Sequence, residues 1–458
     1  MKKPYKHLHI ILLLPLLLSL ACTLSTGNLD ADNPSQTNDL MTTTPNPGSS
    51  TRSRWIPTTE GDTVSNSLPN EAGSSGDGLV MQDSLYIQDE RNLITTFIFE
   101  NQEHSAVEDI EYTVTASNAS GTILKTETSY IDFIAAGGRI GVASNMYLDE
   151  DQVASDVNIN WTYYTDASGT NETPFVFENS RYYYDSYWDR FTTVMINDSA
   201  ITYSKVRVDV IALDSVGMIV GGGVTYVDFI PANEQIGISV NGLVTDDPAT
   251  LEFYPRINSF YPAISDANIF EGLSTLKTGF YFNETKLGGG FLVKNNTDHV
   301  VKNSQYYVTF YEDDGSVAQA ASGSIHLLWP GQTLGVSPGE VTLSEGSIPS
   351  EYYVFVLPGS ATEHELTSSP LTATDVTFID EVLYPRVNVT INNSHSQSID
   401  NLFLTVLLFN AQDEITGGGF AYPHPITANG SVTLSVFVTN TPAEAPARVE
   451  AYPTVRNW

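Results

Sequence analysis

Thiols are almost absent: the 458 residues hold one cysteine, Cys22. That excludes a disulfide framework and a cysteine-built metal centre. Basic side chains are scarce, with 20 Lys and Arg against 54 Asp and Glu and a formal charge of −34. Such a chain repels nucleic acid and anionic lipid headgroups, so neither is a partner by charge. After the first 22 residues no apolar run reaches the ~18 residues of a membrane-spanning helix. No 3.6-residue apolar period stands out, which argues against helical bundles and against parallel sheets with their crossover helices. Yet 41% of the residues are hydrophobic, including 24 Tyr and 20 Phe. That is too apolar for global disorder. Each folded unit must therefore be held together by its core alone.

The N-terminus has Lys2, Lys3 and Lys6, then an apolar run from Ile10 to Leu18 broken only by Pro15, then Ser19-Leu20-Ala21-Cys22. A basic start, a short apolar stretch and a small residue before the cut form a secretory signal. The lone Cys after that small residue resembles the lipobox of bacterial lipoproteins. The resemblance implies removal of residues 1–21, acylation of Cys22 and attachment to the bacterial cell membrane or outer membrane, facing outside the cytoplasm. The membrane is then a partner through the lipid alone.

Residues 22–80 are rich in Ser, Thr, Asn, Pro and Gly, as in Thr42-Thr43-Thr44-Pro45-Asn46-Pro47 and Gly73-Ser74-Ser75-Gly76. A stretch so poor in apolar groups is expected to be a disordered tether. Its mean span would be roughly 40 Å.

Beyond the tether the chain repeats itself. Turns read Asn118-Ala119-Ser120-Gly121, Asp214-Ser215-Val216-Gly217, Glu312-Asp313-Asp314-Gly315 and Asn410-Ala411-Gln412-Asp413, at spacings of 96, 98 and 98 residues. Asx first and Gly fourth suit a type I turn. The same offsets align alternating strands before each turn: Tyr112/Val114/Ala116, Val208/Val210/Ala212, Tyr306/Val308/Phe310 and Leu404/Val406/Leu408. In the second copy Lys205, Arg207 and Asp209 interleave on the opposite face. A second turn is expected at Gly137, Asn233, Gly331 and Asn429. An upstream strand ends at Asn101, Asn197, Asn295 and Asn393. The pattern predicts an all-β fold of four tandem antiparallel β-sandwich repeats of about 97 residues. The expected limits are 81–176, 177–265, 266–370 and 371–458.

The run Val308-Thr309-Phe310-Tyr311-Glu312-Asp313-Asp314-Gly315 resembles the signature of the FxLYD domain. That family is a small prokaryotic, immunoglobulin-like sandwich common in lipoproteins and surface proteins. The resemblance implies the fold and carries over no catalytic residue.

Several motifs suggest chemistry and have plainer explanations. Gly335-Val336-Ser337-Pro338-Gly339 matches the nucleophile elbow, but Pro338 has no N–H to serve an oxyanion. It is expected to be an ordinary strand. Gly221-Gly222-Gly223 and Gly417-Gly418-Gly419, two periods apart, suggest a bulge or close strand packing. Gly288-Gly289-Gly290 is expected to be a loop. His104, His299 and His395 fall on separate copies, so they do not converge as metal ligands. Asp151, Asp247 and Glu345 share one register and are weak calcium candidates; otherwise no cofactor is expected. Arg181–Phe191 is rich in aromatics. Tyr183, Tyr187, Trp188 and Arg190 in it are a candidate surface for a protein or glycan, the plainer reading being aromatic packing at the junction with the first copy.

These readings favour a non-catalytic, lipid-anchored surface protein that presents tandem sandwiches for binding or as a spacer. A structural part of an envelope assembly is the alternative. A carboxylate-based glycosidase ranks last, because four equivalent units leave no unique cleft.

Overall fold

The computed structural model describes residues 78–167, 173–184, 188–257, 264–265, 272–381, 385–439 and 445–456. The signal segment, Cys22, the tether up to residue 77 and Tyr187 lie outside the described residues. The chain separates into a unit Met1–Ser53 and a unit Arg54–Trp458, and every strand belongs to the second. Among the described residues there is no helix.

The strands fall into four successive sandwiches with one topology. The first has β1 (Leu79–Asp89), β2 (Asn92–Asn101), β3 (Ala106–Ser117), β4 (Ile123–Ile134), β5 (Arg139–Tyr147) and β6 (Asp156–Ala167), arranged as sheets β1-β2-β5 and β4-β3-β6. The second has β7 (Phe175–Tyr183), β8 (Asp189–Asn197), β9 (Ile201–Leu213), β10 (Ile219–Ile230), β11 (Gln235–Val244) and β12 (Thr250–Arg256), with the short β13 (Ile264–Ser265) on β9. The third has β14 (Leu273–Asn283), β15 (Lys286–Asn295), β16 (Val300–Tyr311), β17 (Val317–Leu328), β18 (Thr333–Val336), β19 (Val341–Thr342), β20 (Glu351–Leu357) and β21 (Ser360–Thr362). The fourth has β22 (Leu371–Ile379), β23 (Arg386–Asn393), β24 (Leu402–Phe409), β25 (Ile415–Ala421), β26 (Ser431–Phe437) and β27 (Arg448–Val455). In each sandwich the first, second and fifth main strands form a front sheet, and the fourth, third and sixth form a back sheet. All pairings are antiparallel. β1 and β7 start slightly ahead of the limits expected from the sequence.

Alternation produces the cores. Along β3, Ile110, Tyr112, Val114 and Ala116 are buried and meet Phe97 and Phe99 of β2. The equivalent Val206, Val208 and Val210, then Tyr306, Val308 and Phe310, then Leu402, Leu404, Val406 and Leu408 do the same in the later copies. Phe97 and Tyr112 meet edge to face at 5.4 Å. Such pairs contribute beyond their buried area.

The strand-ending asparagines are the most constant feature. Asn101 is buried, and its Nδ2 donates to the carbonyls of Ser105 (2.9 Å), Ile134 (3.0 Å) and Ala135 (3.0 Å), while its Oδ1 accepts from the Glu103 amide. Asn197, Asn295 and Asn393 repeat that arrangement. Each clamps its front sheet to the chain that returns from the back sheet, with both amide functions satisfied. The turns also keep their register. Gly121, Gly217, Gly315 and Asp413 all have positive φ, and their amides donate to residues 118, 214, 312 and 410. Gly137, Asn233, Gly331 and Asn429 have positive φ as well. A third series, Asp109, Lys205, Asn303 and Asn401, adopts positive φ without glycine.

The triple glycines at 221–223 and 417–419 do two jobs. A one-residue bulge precedes each on its own strand, at Val220 opposite Ala212/Leu213 and at Thr416 opposite Leu408/Phe409. Gly221 to Gly223 also pair with Gly242 to Val244, which joins the two sheets of the second sandwich. Gly288 to Gly290 are not a loop. They lie buried inside β15, and a Cβ on Gly290 would sit 2.4 Å from Leu407 of the fourth sandwich.

Candidate functional site

The outward faces of the sheets decide how the sandwiches combine. On the central back strand the outward residues are Arg207, Asp209, Ile211 and Leu213 in the second copy. They are Gln305, Tyr307, Thr309 and Tyr311 in the third, and Phe403, Thr405, Leu407 and Phe409 in the fourth. Most are buried, because the front sheet of the preceding sandwich covers them. Ile98 of β2 packs with Ile211, Leu213 and Ile219. Ile236 and Ile238 share a cluster with Tyr307 and Leu357. Leu292 packs with Leu407, Phe409 and Ile415. Each junction thus places the front sheet of one copy on the back sheet of the next.

A glycine marks the closest approach each time. A Cβ on Gly141 would lie 2.3 Å from Ile211 Cγ1, on Gly237 2.2 Å from Thr309 Cγ2, and on Gly335 2.4 Å from Tyr452 Cδ2. These glycines are 96 and 98 residues apart, on the fifth main strand of their copies. The fourth copy carries Thr433 at this position. Sequence reasoning missed the series, although the periodic offsets already aligned Gly141, Gly237, Gly335 and Thr433.

Polar groups fix the registration. Asp209 is fully buried and ion-paired to Arg207 (2.9 Å) and Arg256 (2.8 Å), and it accepts the Ala143 amide of the first sandwich at 3.0 Å. Arg207 also donates to the Ala143 carbonyl at 2.6 Å. A buried carboxylate needs that number of partners to be tolerated. At the next junction the Gly237 amide donates to Thr309 Oγ1 at 3.0 Å, and Ser322 donates to Asp228 at 2.6 Å. Burial alone would raise the Asp228 pKa. Hydrogen bonds from Lys205 and Ser322 and the Lys205 charge outweigh it and hold the carboxyl below its ordinary value. At the last junction Thr454 donates to the Leu327 carbonyl at 2.6 Å, and Lys277 pairs with Asp413.

The two end faces differ from the junctions. The back sheet of the first sandwich presents Glu111, Thr113, Thr115 and Ser117 on β3, with Thr126 and Thr128 on β4 and Asn158 and Asn160 on β6. Thr113 and Thr128 hydrogen-bond across strands at 3.0 Å. The front sheet of the fourth presents Asn388, Thr390 and Asn392 beside Ser431, Thr433 and Ser435. Thr390 occupies the register of Ile98, Val194 and Leu292. In repeat proteins a polar outer face on the terminal unit prevents further stacking.

Among the described residues of the aromatic stretch, Tyr183, Trp188 and Arg190 lie at the junctions with neighbouring sandwiches. Tyr183 donates to Glu312 of the third sandwich at 3.2 Å, beside the Arg181–Glu312 ion pair at 3.0 Å. Arg190 is buried and donates to the Thr342 carbonyl and Ser344 Oγ, both at 3.0 Å. Trp188 turns the other way and packs on Ile87 and Ile94 of the first sandwich, with Leu243. A segment facing two neighbours carries side chains that pack on both sides.

Asp151, Asp247 and Glu345 are exposed and lie on three different sandwiches. Among the described residues no three His, Cys, Asp or Glu side chains converge as a metal site requires. Ser337 is buried, donates to the Gly289 carbonyl at 3.0 Å, and has no access for a substrate.

No protein-family model matches the chain. No curated protein matches it. Among solved structures, the chain is similar to the crystal structure of a tetra-tandem repeat in the extending region of a large adhesion protein. The identity is 12%, the match covers 80% of this chain and 92% of the other, and the TM-score is 0.12.

Proposed function

We propose that the chain is a non-catalytic surface protein, lipid-anchored at Cys22, whose four stacked sandwiches act as a spacer that holds binding surfaces away from the membrane. The observation that carries this reading is the junction series: Gly141, Gly237 and Gly335 admit the next sandwich, where the fourth copy carries Thr433. Buried contacts at every junction resist hinge motion, which suits a spacer more than a string of loosely jointed modules. The lipobox-like start and the FxLYD-like run support a bacterial envelope location, and the ligand is a protein or glycan outside the cell.

Small-angle scattering of the full chain in detergent, combined with fractionation of cells, tests the proposal. An elongated profile with little hinge flexibility is expected, with the protein in the membrane fraction and a Cys22→Ala variant released. A compact profile, or unchanged membrane partition of Cys22→Ala, contradicts it.

A further inference from the structure

The first junction leaves a cleft of about 530 Å³ between the end of β4, the start of β5 and the outward face of β9, β10 and β12. That volume lies within the ~300–1,000 Å³ of small-ligand sites. Its wall carries the Tyr226 ring, which is 58% exposed and has the Arg207 guanidinium 5.9 Å from its centroid. The lining also carries a polar fork from two sandwiches, Arg139 and Tyr254, both bonded to Glu252. Arg139 pairs with Glu252 at 3.0 Å, and Tyr254 donates to Glu252 at 2.6 Å. We infer that this cleft binds a neutral oligosaccharide, with a pyranose C–H face on Tyr226 and hydroxyls on Arg139 and Tyr254.

The charge balance selects the ligand class. Arg139 faces Glu252, Arg207 and Arg256 share Asp209, and Asp132 also lines the cleft, so three cations meet three carboxylates and no positive charge is left over to attract an anion. A chain carrying −34 opposes anions at longer range as well. A purely apolar ligand would strand the fork's donors and acceptors. A sugar supplies both: hydroxyls that donate and accept, and an apolar ring face that an exposed tyrosine covers. The matching positions at the third junction lack this chemistry. Tyr422 holds the register of Tyr226, but Phe403 replaces Arg207 and its ring lies 5.4 Å from Tyr422.

This assignment goes beyond the spacer reading and fails independently of it. Calorimetric titration of the full chain with cellotriose, maltotriose and N-acetylchitotriose tests it. At least one is expected to bind with a Kd of about 1 mM or tighter. Tyr226→Ala and Arg139→Gln should each weaken that binding at least about tenfold, while thermal melting shows the fold intact. Tyr422→Ala should leave it unchanged. Absence of binding by all three sugars overturns the inference. So does binding that survives both variants, or binding lost only in Tyr422→Ala.

Discussion

The Gly237 amide donates to Thr309 Oγ1 at 3.0 Å, and the position where Gly237 would carry a Cβ lies 2.2 Å from Thr309 Cγ2. One residue thus supplies both a hydrogen bond and the absence of a side chain to the junction between the second and third sandwiches. Gly237→Val would force those sheets apart, at a cost of about 1–3 kcal/mol as for other overpacked sites. The outcome is a lower calorimetric melting temperature and wider hinge motion in scattering. Thr433→Val, at the same register on the free end, should change neither.

The end faces are expected to keep the protein monomeric. A junction joins two different faces, so sticky ends would propagate without closing. Thr390→Leu with Thr433→Gly restores a junction-like front face. Thr115→Ile with Ser117→Leu restores the back face, copying Ile211 and Leu213. Sedimentation velocity should show concentration-dependent oligomers for the four changes together. The unmodified chain and each pair alone should remain monomers.

Turns, strand-ending asparagines and core alternation were readable because each depends on local backbone chemistry repeated at fixed offsets. The stacking was harder to read because it adds a second buried face. Arg207 and Asp209 look like a solvated face beside Val208 and Val210, yet the first sandwich covers them. The signal was present in another form. Ile211-Ala212-Leu213 and Leu407-Leu408-Phe409 are continuous apolar runs, which strands covered on both faces require. Tyr183, Trp188 and Arg190 were hard to place for the same reason, since their partners lie on neighbouring sandwiches.

Removal of one asparagine clamp should be costly. Asn295 donates to three carbonyls, at 2.8, 3.1 and 3.1 Å, and is fully buried. Asn295→Ala leaves those carbonyls without their donor, and each buried unsatisfied group costs about 1–3 kcal/mol. A loss of roughly 3 kcal/mol is expected for the third sandwich, measured by denaturant unfolding. Asn295→Asp should be nearly as damaging, because a carboxylate cannot donate.

Acid should loosen the second junction before it unfolds the sandwiches. The Asp228 carboxyl is held below its ordinary value and accepts from Ser322 across the junction. A carboxyl with a folded pKa below the unfolded one adds stability above about pH 4, and that stability drains away as pH falls through the folded value. Asp228→Asn should therefore lower the melting temperature at neutral pH, where the native charge pairs with Lys205. The gap between variant and native protein should close as the pH is taken below the ordinary aspartate range. Calorimetry across that range measures it. A gap that stays constant with pH would mean that Asp228 contributes through shape rather than charge.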